Sequence, residues 1–298
     1  MMEAIKRIHH ITAIVGDPNE NLKFYRDVLG QRLIKQTVNF DDPGVYHLYF
    51  AHKDATPGTV ITFFPWTNDN VGRKGSGQVG RIAYRVPAGS MDYWKKRLAD
   101  NWVESRETEF FGAKTLEFSD VHGLDLAIVE SEETADNNDI LGFHGAELLS
   151  GDPEGTKELL TDKMGLKSLD IEDGNQHFET VGDEKHHIIT SLPPQPHGRF
   201  GIGTVHHIAW SVPDMDTMKE WQVVLRDDGF GVTEVRDRTY FKSIYTGEKG
   251  DIVFEFATEG PGFDIDENPS ELGTSLKLPE QYEHKRPEYE KTLPKLDI

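Results

Sequence analysis

The stretches His9-His10-Ile11-Thr12-Ala13-Ile14-Val15 and His206-His207-Ile208-Ala209-Trp210-Ser211-Val212 are two copies of one phrase, set near opposite ends of the chain. Each reads as a buried strand rich in β-branched and apolar residues. Each runs into a turn signal, Gly16-Asp17-Pro18 in the first and Pro213-Asp214 in the second. Two further segments share the pattern. One is Arg81-Ile82-Ala83-Tyr84-Arg85-Val86-Pro87; the other is His144-Gly145-Ala146-Glu147-Leu148-Leu149 ahead of Gly151-Asp152-Pro153. Aligned on His10, Arg81, His144 and His207, the starts lie 71, 63 and 63 residues apart, the mark of an internal repeat.

A helical pattern follows each start. Asp17 leads into Leu22, Tyr25 and Leu29, closed by Gly30. Ser90 leads into Met91, Trp94 and Leu98. Asp152-Pro153 leads into Leu159, Leu160 and Met164, closed by Gly165. Asp214 leads into Met218, Trp221 and Leu225, closed by Gly229. The rest of each repeat is strand-like, as in Tyr46-His47-Leu48-Tyr49-Phe50, Val60-Ile61-Thr62-Phe63-Phe64 and Asp251-Ile252-Val253-Phe254-Glu255-Phe256. The expected fold class is therefore α+β, with four βαβββ modules whose half-exposed sheets close in pairs into two curled-sheet cups. Along the chain this puts modules one and two in residues 1–138, modules three and four in 139–260, and a C-terminal extension in 261–298. The extension reads as a loop and polar tail packed on the last module, with a disordered tail from Tyr282 onward as the alternative.

Composition narrows the partners. The 298 residues are 36% hydrophobic, enough for a sizeable core, and carry a formal net charge of −20, which repels nucleic acid phosphates and anionic membrane alike. With no cysteine there is neither a disulfide nor a thiolate metal site. No apolar run reaches the length of a membrane span, and no targeting segment is recognised at the start, so a cytoplasmic protein is expected. A homo-oligomer is compatible with all of this.

Strand parity gathers a metal-binding set. His10, Thr12 and Ile14 share one face of the first strand, and His207, Ala209 and Ser211 the equivalent face in module four. In the final strand Glu255 stands opposite Ile252, Phe254 and Phe256. A carboxylate in so apolar a strand is costly to bury unless a cation meets it. Counting from the glycine that opens each final strand, the matching positions are Phe63 and Ile128, with Thr190 nearby in module three, so only module four has an acid there. Two imidazoles and one carboxylate suit a non-heme Fe(II) site, with His10, His207 and Glu255 as ligands; Mn, Zn, Ni or Co could replace iron in purified protein. This set requires modules one and four to pair. The competing arrangement, one with two and three with four, would replace His10 by His144; the glycine-rich context of His144 disfavours it. His9 and His206 fall on the opposite face by simple alternation. His47, His52, His122, His177, His197, His284 and the pair His186-His187 read as core or surface histidines.

The phrases Ile8-His9-His10-Ile11-Thr12, Tyr46-His47-Leu48-Tyr49-Phe50, Thr56-Pro57-Gly58-Thr59, Arg73-Lys74-Gly75-Ser76, Val205-His206-His207 and Phe254-Glu255 resemble the ring-cleaving dioxygenases of the vicinal oxygen chelate superfamily, in particular the hydroquinone 1,2-dioxygenases. The resemblance runs from about Ile5 to Leu278 and is strongest in modules one and four. It implies the vicinal oxygen chelate fold and Fe(II) on His10, His207 and Glu255. It also implies that Thr12, His206, Arg238 and Tyr245 support catalysis, and that the substrates are a small hydroquinone- or catechol-type ring and O2. His206 owes its inclusion to the resemblance alone. Two other activities suit the same fold: a glyoxalase-type isomerase or lyase using Zn, Ni or Co, whose sites commonly use two carboxylates, and a metal-free protein that binds aromatic drugs.

Overall fold

The computed structural model describes residues 2–52, 55–110, 112–172 and 174–298. Module one contains β1 (Ile8–Val15), α1 (Pro18–Lys23), β2 (Arg32–Val38), β3 (Tyr46–Ala51) and β4 (Val60–Pro65). Module two contains β5 (Gln78–Val86), α2 (Met91–Asp100), β6 (Ser105–Phe110), β7 (Ala113–Ser119) and β8 (Asp125–Glu130). Module three contains β9 (Gly142–Leu149), α3 (Pro153–Glu158), β10 (Lys167–Glu172), β11 (Asn175–Glu179) and β12 (His187–Ser191). Module four contains β13 (Thr204–Val212), α4 (Met215–Asp227), β14 (Arg236–Asp237), β15 (Phe241–Gly247) and β16 (Val253–Pro261). Asp17, Asp152 and Asp214 cap their helices by accepting backbone N–H bonds. Ser90 precedes α2 but its hydroxyl makes no capping bond. None of the described helices is long and apolar enough to cross a membrane.

The modules assemble into two eight-stranded sheets. One runs β14-β15-β16-β13-β1-β4-β3-β2, the other β10-β11-β12-β9-β5-β8-β7-β6. Modules one and four thus share a sheet through antiparallel β1 and β13, and modules two and three share the other through β5 and β9. One face of both sheets pools with the helices in a single core that includes Ile11, Tyr25, Phe63, Ile82, Ile128, Trp210 and Phe254. Each opposite face holds its own smaller cluster, Tyr49, Ala209, Tyr240 and Phe241 in the first cup and Ala83, Phe110, Ala127 and Ile189 in the second.

Both central strand pairs contain paired bulges, and these correct the simple alternation expected from sequence. Between Ile8↔Trp210 and His10↔Ala209, β1 carries one extra residue, His9. Between Thr12↔His207 and Ala13↔Val205, β13 carries one extra residue, His206. A bulge turns the extra side chain away from strict alternation, so His9 and His206 are not consigned to the far face. In the second sheet the extra residue on β9 is His144, between Ala83↔Gly145 and Tyr84↔Phe143. His144 therefore matches His206, and Gly145 stands where His207 stands.

The same registers correct the final-strand alignment. Ala209 pairs with Glu255, Thr12 with Thr62, Ala83 with Ala127 and Glu147 with Ile189. The equivalents of Glu255 are thus Thr62, Ala127 and Ile189, one residue before Phe63, Ile128 and Thr190. Phe63 and Ile128 face the main core instead. The conclusion that module four alone has an acid there survives.

The C-terminal extension packs largely against module one, where the sequence suggested the last module. Two short helices, α5 (Glu280–Glu283) and α6 (Arg286–Thr292), lie beyond the last module, and Tyr289, Leu293 and Leu296 join the main core. Tyr46 donates its hydroxyl hydrogen to the Pro294 carbonyl at 3.0 Å, and Tyr282 to that of Phe40 at 2.9 Å. The buried ammonium of Lys35 pairs with Asp266 at 2.6 Å and with Glu267, fixing the intervening segment to β2.

Gly145 shows why the second cup lacks a ligand at this position. A Cβ there would lie 1.7 Å from the carbonyl oxygen of His187. Gly145→Ala is expected to destabilise the fold by about 2–3 kcal/mol, as overpacking against backbone does, read as a lower urea midpoint with an unchanged slope; an unaltered midpoint would contradict this packing.

Candidate metal centre

His10 on β1, His207 on β13 and Glu255 on β16 converge from three adjacent strands, and all three are buried. His10 Nε2 lies 3.3 Å from Glu255 Oε2, His207 Nε2 lies 2.9 Å from the same oxygen, and the two Nε2 atoms are 3.4 Å apart. Two donor atoms bound at ~2.1 Å to one ion, at right angles, are about 3 Å apart, so the triangle has the size of one face of a coordination shell. His144 is elsewhere, stacked on His187 at 4.6 Å in the second sheet.

The electrostatics call for a cation. Glu255 is fully buried, and both its oxygens lack a hydrogen-bond partner. The nearby imidazole nitrogens satisfy the distance but not the geometry of a hydrogen bond. Burial alone would raise the Glu255 carboxyl; the His10 and His207 imidazoles more than offset it and hold the group well below the usual carboxylate range. Burial drives His207 the other way, toward the neutral form. Burial works against charge on His207 as it does on Glu255, so the cluster is a costly one until a cation joins it.

The bulged histidines contact the ligand histidines through Nδ1, and His9 fixes its own tautomer. His9 Nε2 lies 3.1 Å from the Thr258 carbonyl, which can only accept, so Nε2 carries the hydrogen. Burial lowers His9 to about 3, leaving it neutral with a bare Nδ1. That nitrogen stands 2.9 Å from His10 Nδ1, which must donate, so Nε2 is the His10 nitrogen left to face the centre. His206 Nδ1 and His207 Nδ1 form the matching contact at 2.8 Å, without a carbonyl anchoring the far nitrogen of His206. A metal on His207 Nε2 would leave His207 Nδ1 as the donor and His206 Nδ1 as the acceptor, and the His206 ring lines the cavity. Ligand histidines held through their second nitrogen are the usual outer support of a metal site. Alternation gave no sign of either contact; only the bulges explain them.

Above the triad opens a cavity of about 190 Å³. An engineered cavity of ~150 Å³ takes up benzene, so one substituted ring fits. Phe64, Trp66 and Phe241 form apolar walls, and Asn39, Phe40, Asp41 and Asp42 line it from the loop between β2 and β3. Tyr245 packs beside His207 with ring centroids 5.6 Å apart. Arg238 donates from Nε to the Tyr245 oxygen at 3.2 Å and from Nη2 to Asp41 at 3.0 Å. Burial, with Glu255 adding to it, pushes the Tyr245 phenol up, so it stays a donor. Thr12 lies beneath, its hydroxyl 2.7 Å from that of Thr62, which lies 2.8 Å from His47 Nε2; His47 Nδ1 is 2.9 Å from the Tyr49 hydroxyl.

His47 and Tyr49 line the cavity, contrary to the reading of His47 as a plain core or surface residue. Their alternation with Leu48, which faces the main core, was the available signal. Of the pair His186-His187, His186 is a core histidine whose Nδ1 accepts from the Ile8 N–H at 2.9 Å. In the second cup, Arg81 stands at the His10 position and pairs with Glu117 at 2.5 Å. Glu117 matches Tyr245, each being the cross-strand partner of the final-strand position. A guanidinium–carboxylate pair lies there in place of a ligand set.

The family model for the glyoxalase/bleomycin resistance protein/dioxygenase superfamily matches residues 7–124 and 142–256. MhqO of Bacillus subtilis strain 168, named a ring-cleaving dioxygenase, is 48% identical over 296 residues, covering 96% of this chain and 95% of that protein. A chlorohydroquinone/hydroquinone 1,2-dioxygenase of Sphingobium indicum is 30% identical, covering 98% and 97%. The crystal structure of a B. subtilis protein described as a dioxygenase matches with a TM-score of 0.96 at 46% identity over 99% of both chains. Glyoxalase I from Zea mays matches with a TM-score of 0.64 at 13% identity, covering 85% of this chain and 92% of that one, a likeness of fold alone. From its two matched arms and its full-length relatives, this chain is a member of the glyoxalase/bleomycin resistance protein/dioxygenase superfamily.

Proposed function

We propose that the chain is an Fe(II)-dependent ring-cleaving dioxygenase acting on a hydroquinone- or catechol-type ring. The observation that carries this reading is the donor set, two imidazole lone pairs and one unpartnered carboxylate converging beside a cavity with aromatic walls. Iron bound there would offer adjacent positions to a phenolic oxygen and to O2 and let electron density pass between them. The 30% identity to an enzyme named for hydroquinone supports the choice of ring.

The chain's own groups have separate tasks in this reading. His9 and His206 hold the ligand imidazoles in the tautomer that bares Nε2. His206 directs its remaining N–H at the cavity, where a ring oxygen can accept it. Burial lowers His206 to about 3, which suits a neutral hydrogen-bonding group rather than a proton carrier. Tyr245, whose oxygen already accepts from Arg238, keeps its hydrogen to donate to charge developing on a bound oxygen. Phe64, Trp66 and Phe241 sandwich the ring and keep the site apolar. The glyoxalase-type reading lacks its usual second carboxylate, because Thr62 occupies the register position of Glu255 in the partner module. A protein that merely sequesters a ring has no use for three converging donor atoms.

Protein purified anaerobically with Fe(II) is expected to consume O2 as hydroquinone absorbance falls; iron-loaded protein without uptake on any hydroquinone or catechol would overturn the reading. Glu255→Gln should weaken metal binding by more than the ~10–100-fold that loss of an outer partner costs, measured as metal content after dialysis. Tyr245→Phe should keep its iron while kcat falls by about 10²–10³, the usual effect of removing one donor to a developing oxyanion; an unchanged kcat would remove Tyr245 from the chemistry.

A further inference from the structure

The rim of the cavity has an arrangement of charge that the proposed reaction does not use. Among the described residues lining the cavity, Arg238 is the one with a permanent positive charge. A guanidinium beside an apolar cavity is ordinarily a ready receptor for a carboxylate. Here it is already engaged, on the Tyr245 oxygen inside and on Asp41 outside. Asp41 remains 60% exposed while Arg238 is only 16% exposed, so the acid sits outermost and the base behind it. Asp42, also exposed, lines the same mouth.

The acidic loop is built, not incidental. Asn39 Oδ1 accepts the Asp41 N–H at 2.9 Å, the Asn39 N–H bonds the Val45 carbonyl at 2.8 Å, and the Phe40 carbonyl accepts the Tyr282 hydroxyl from the C-terminal extension. An incoming ring therefore meets two carboxylates held at the opening before it meets any cation.

We infer that Asp41, with Asp42 beside it, makes this cavity select rings without acidic substituents, by closing Arg238 in an ion pair and opposing incoming anions. The inference rests on the proposed ring-cleaving function and names its substrate class further: neutral hydroquinones, not carboxylated ones. Like charges at a rim discriminate between partners at little cost to the preferred one.

The test compares two rings of equal shape, 2,5-dihydroxybenzamide and 2,5-dihydroxybenzoate, with unsubstituted hydroquinone as reference. The readout is kcat/KM from O2 uptake by the iron-loaded full chain. The amide should be preferred, and Asp41→Asn, which keeps the side chain's size, should cut that preference about tenfold, mainly by raising kcat/KM for the benzoate. Asp41→Glu should retain the preference, and added salt should narrow it in the wild type because rim charges are screened. A preference unchanged in Asp41→Asn, or absent from the wild type, overturns the inference while leaving the proposed function intact. No uptake with hydroquinone itself overturns the proposed function, and this inference with it.

Discussion

A carboxylate buried between Phe254 and Phe256, with both oxygens unpartnered, is the constraint around which the first cup is organised. Desolvation of such a group costs several kcal/mol, so an acid persists there only where positive charge comes to meet it. The neighbouring imidazoles of His10 and His207 bring their Nε2 atoms to the same point. Three groups that are poor company without an ion become a ligand set with one. The supports that fix their tautomers then follow, as do the aromatic walls and the donors aimed into the cavity.

The backbone device that makes this arrangement is a pair of bulges. One extra residue in β1 and one in β13 bring His9 against His10 and His206 against His207. The two contacts are related by the internal repeat but not equivalent. His9 is tied to the Thr258 carbonyl on its far side, whereas His206 borders the cavity. One half of the repeat has become rigid support, and the other retains a group that can reach a substrate. The second cup keeps the bulge on β9 but replaces the ligands by an Arg81–Glu117 pair and by Gly145, against which the His187 carbonyl packs.

The fold was legible because four copies of one strand–turn–helix phrase repeat at nearly constant spacing, and because the acid in β16 singled out the pairing of modules one and four. Side-chain parity brought out His10, His207, Thr12 and Glu255. It failed at His9 and His206, since a bulge shifts alternation without any local residue signal. It was one residue off for the equivalents of Glu255, since glycine counting assumes turns of equal length. His47 and Tyr49 were available to the same parity argument. The loop 39–44 has no periodicity to read, and its place at the cavity depends on contacts with β14–β15 and the C-terminal extension, hundreds of residues away in sequence. The packed tail was equally silent, because Tyr289, Leu293 and Leu296 form no amphipathic pattern long enough to stand out from a polar segment.

Anomalous diffraction from crystals grown anaerobically with Fe(II) tests the central interaction most directly. A single peak about 2.0–2.2 Å from His10 Nε2, His207 Nε2 and a Glu255 oxygen is predicted. Iron bound elsewhere, with those three atoms still facing one another across an empty centre, would contradict it.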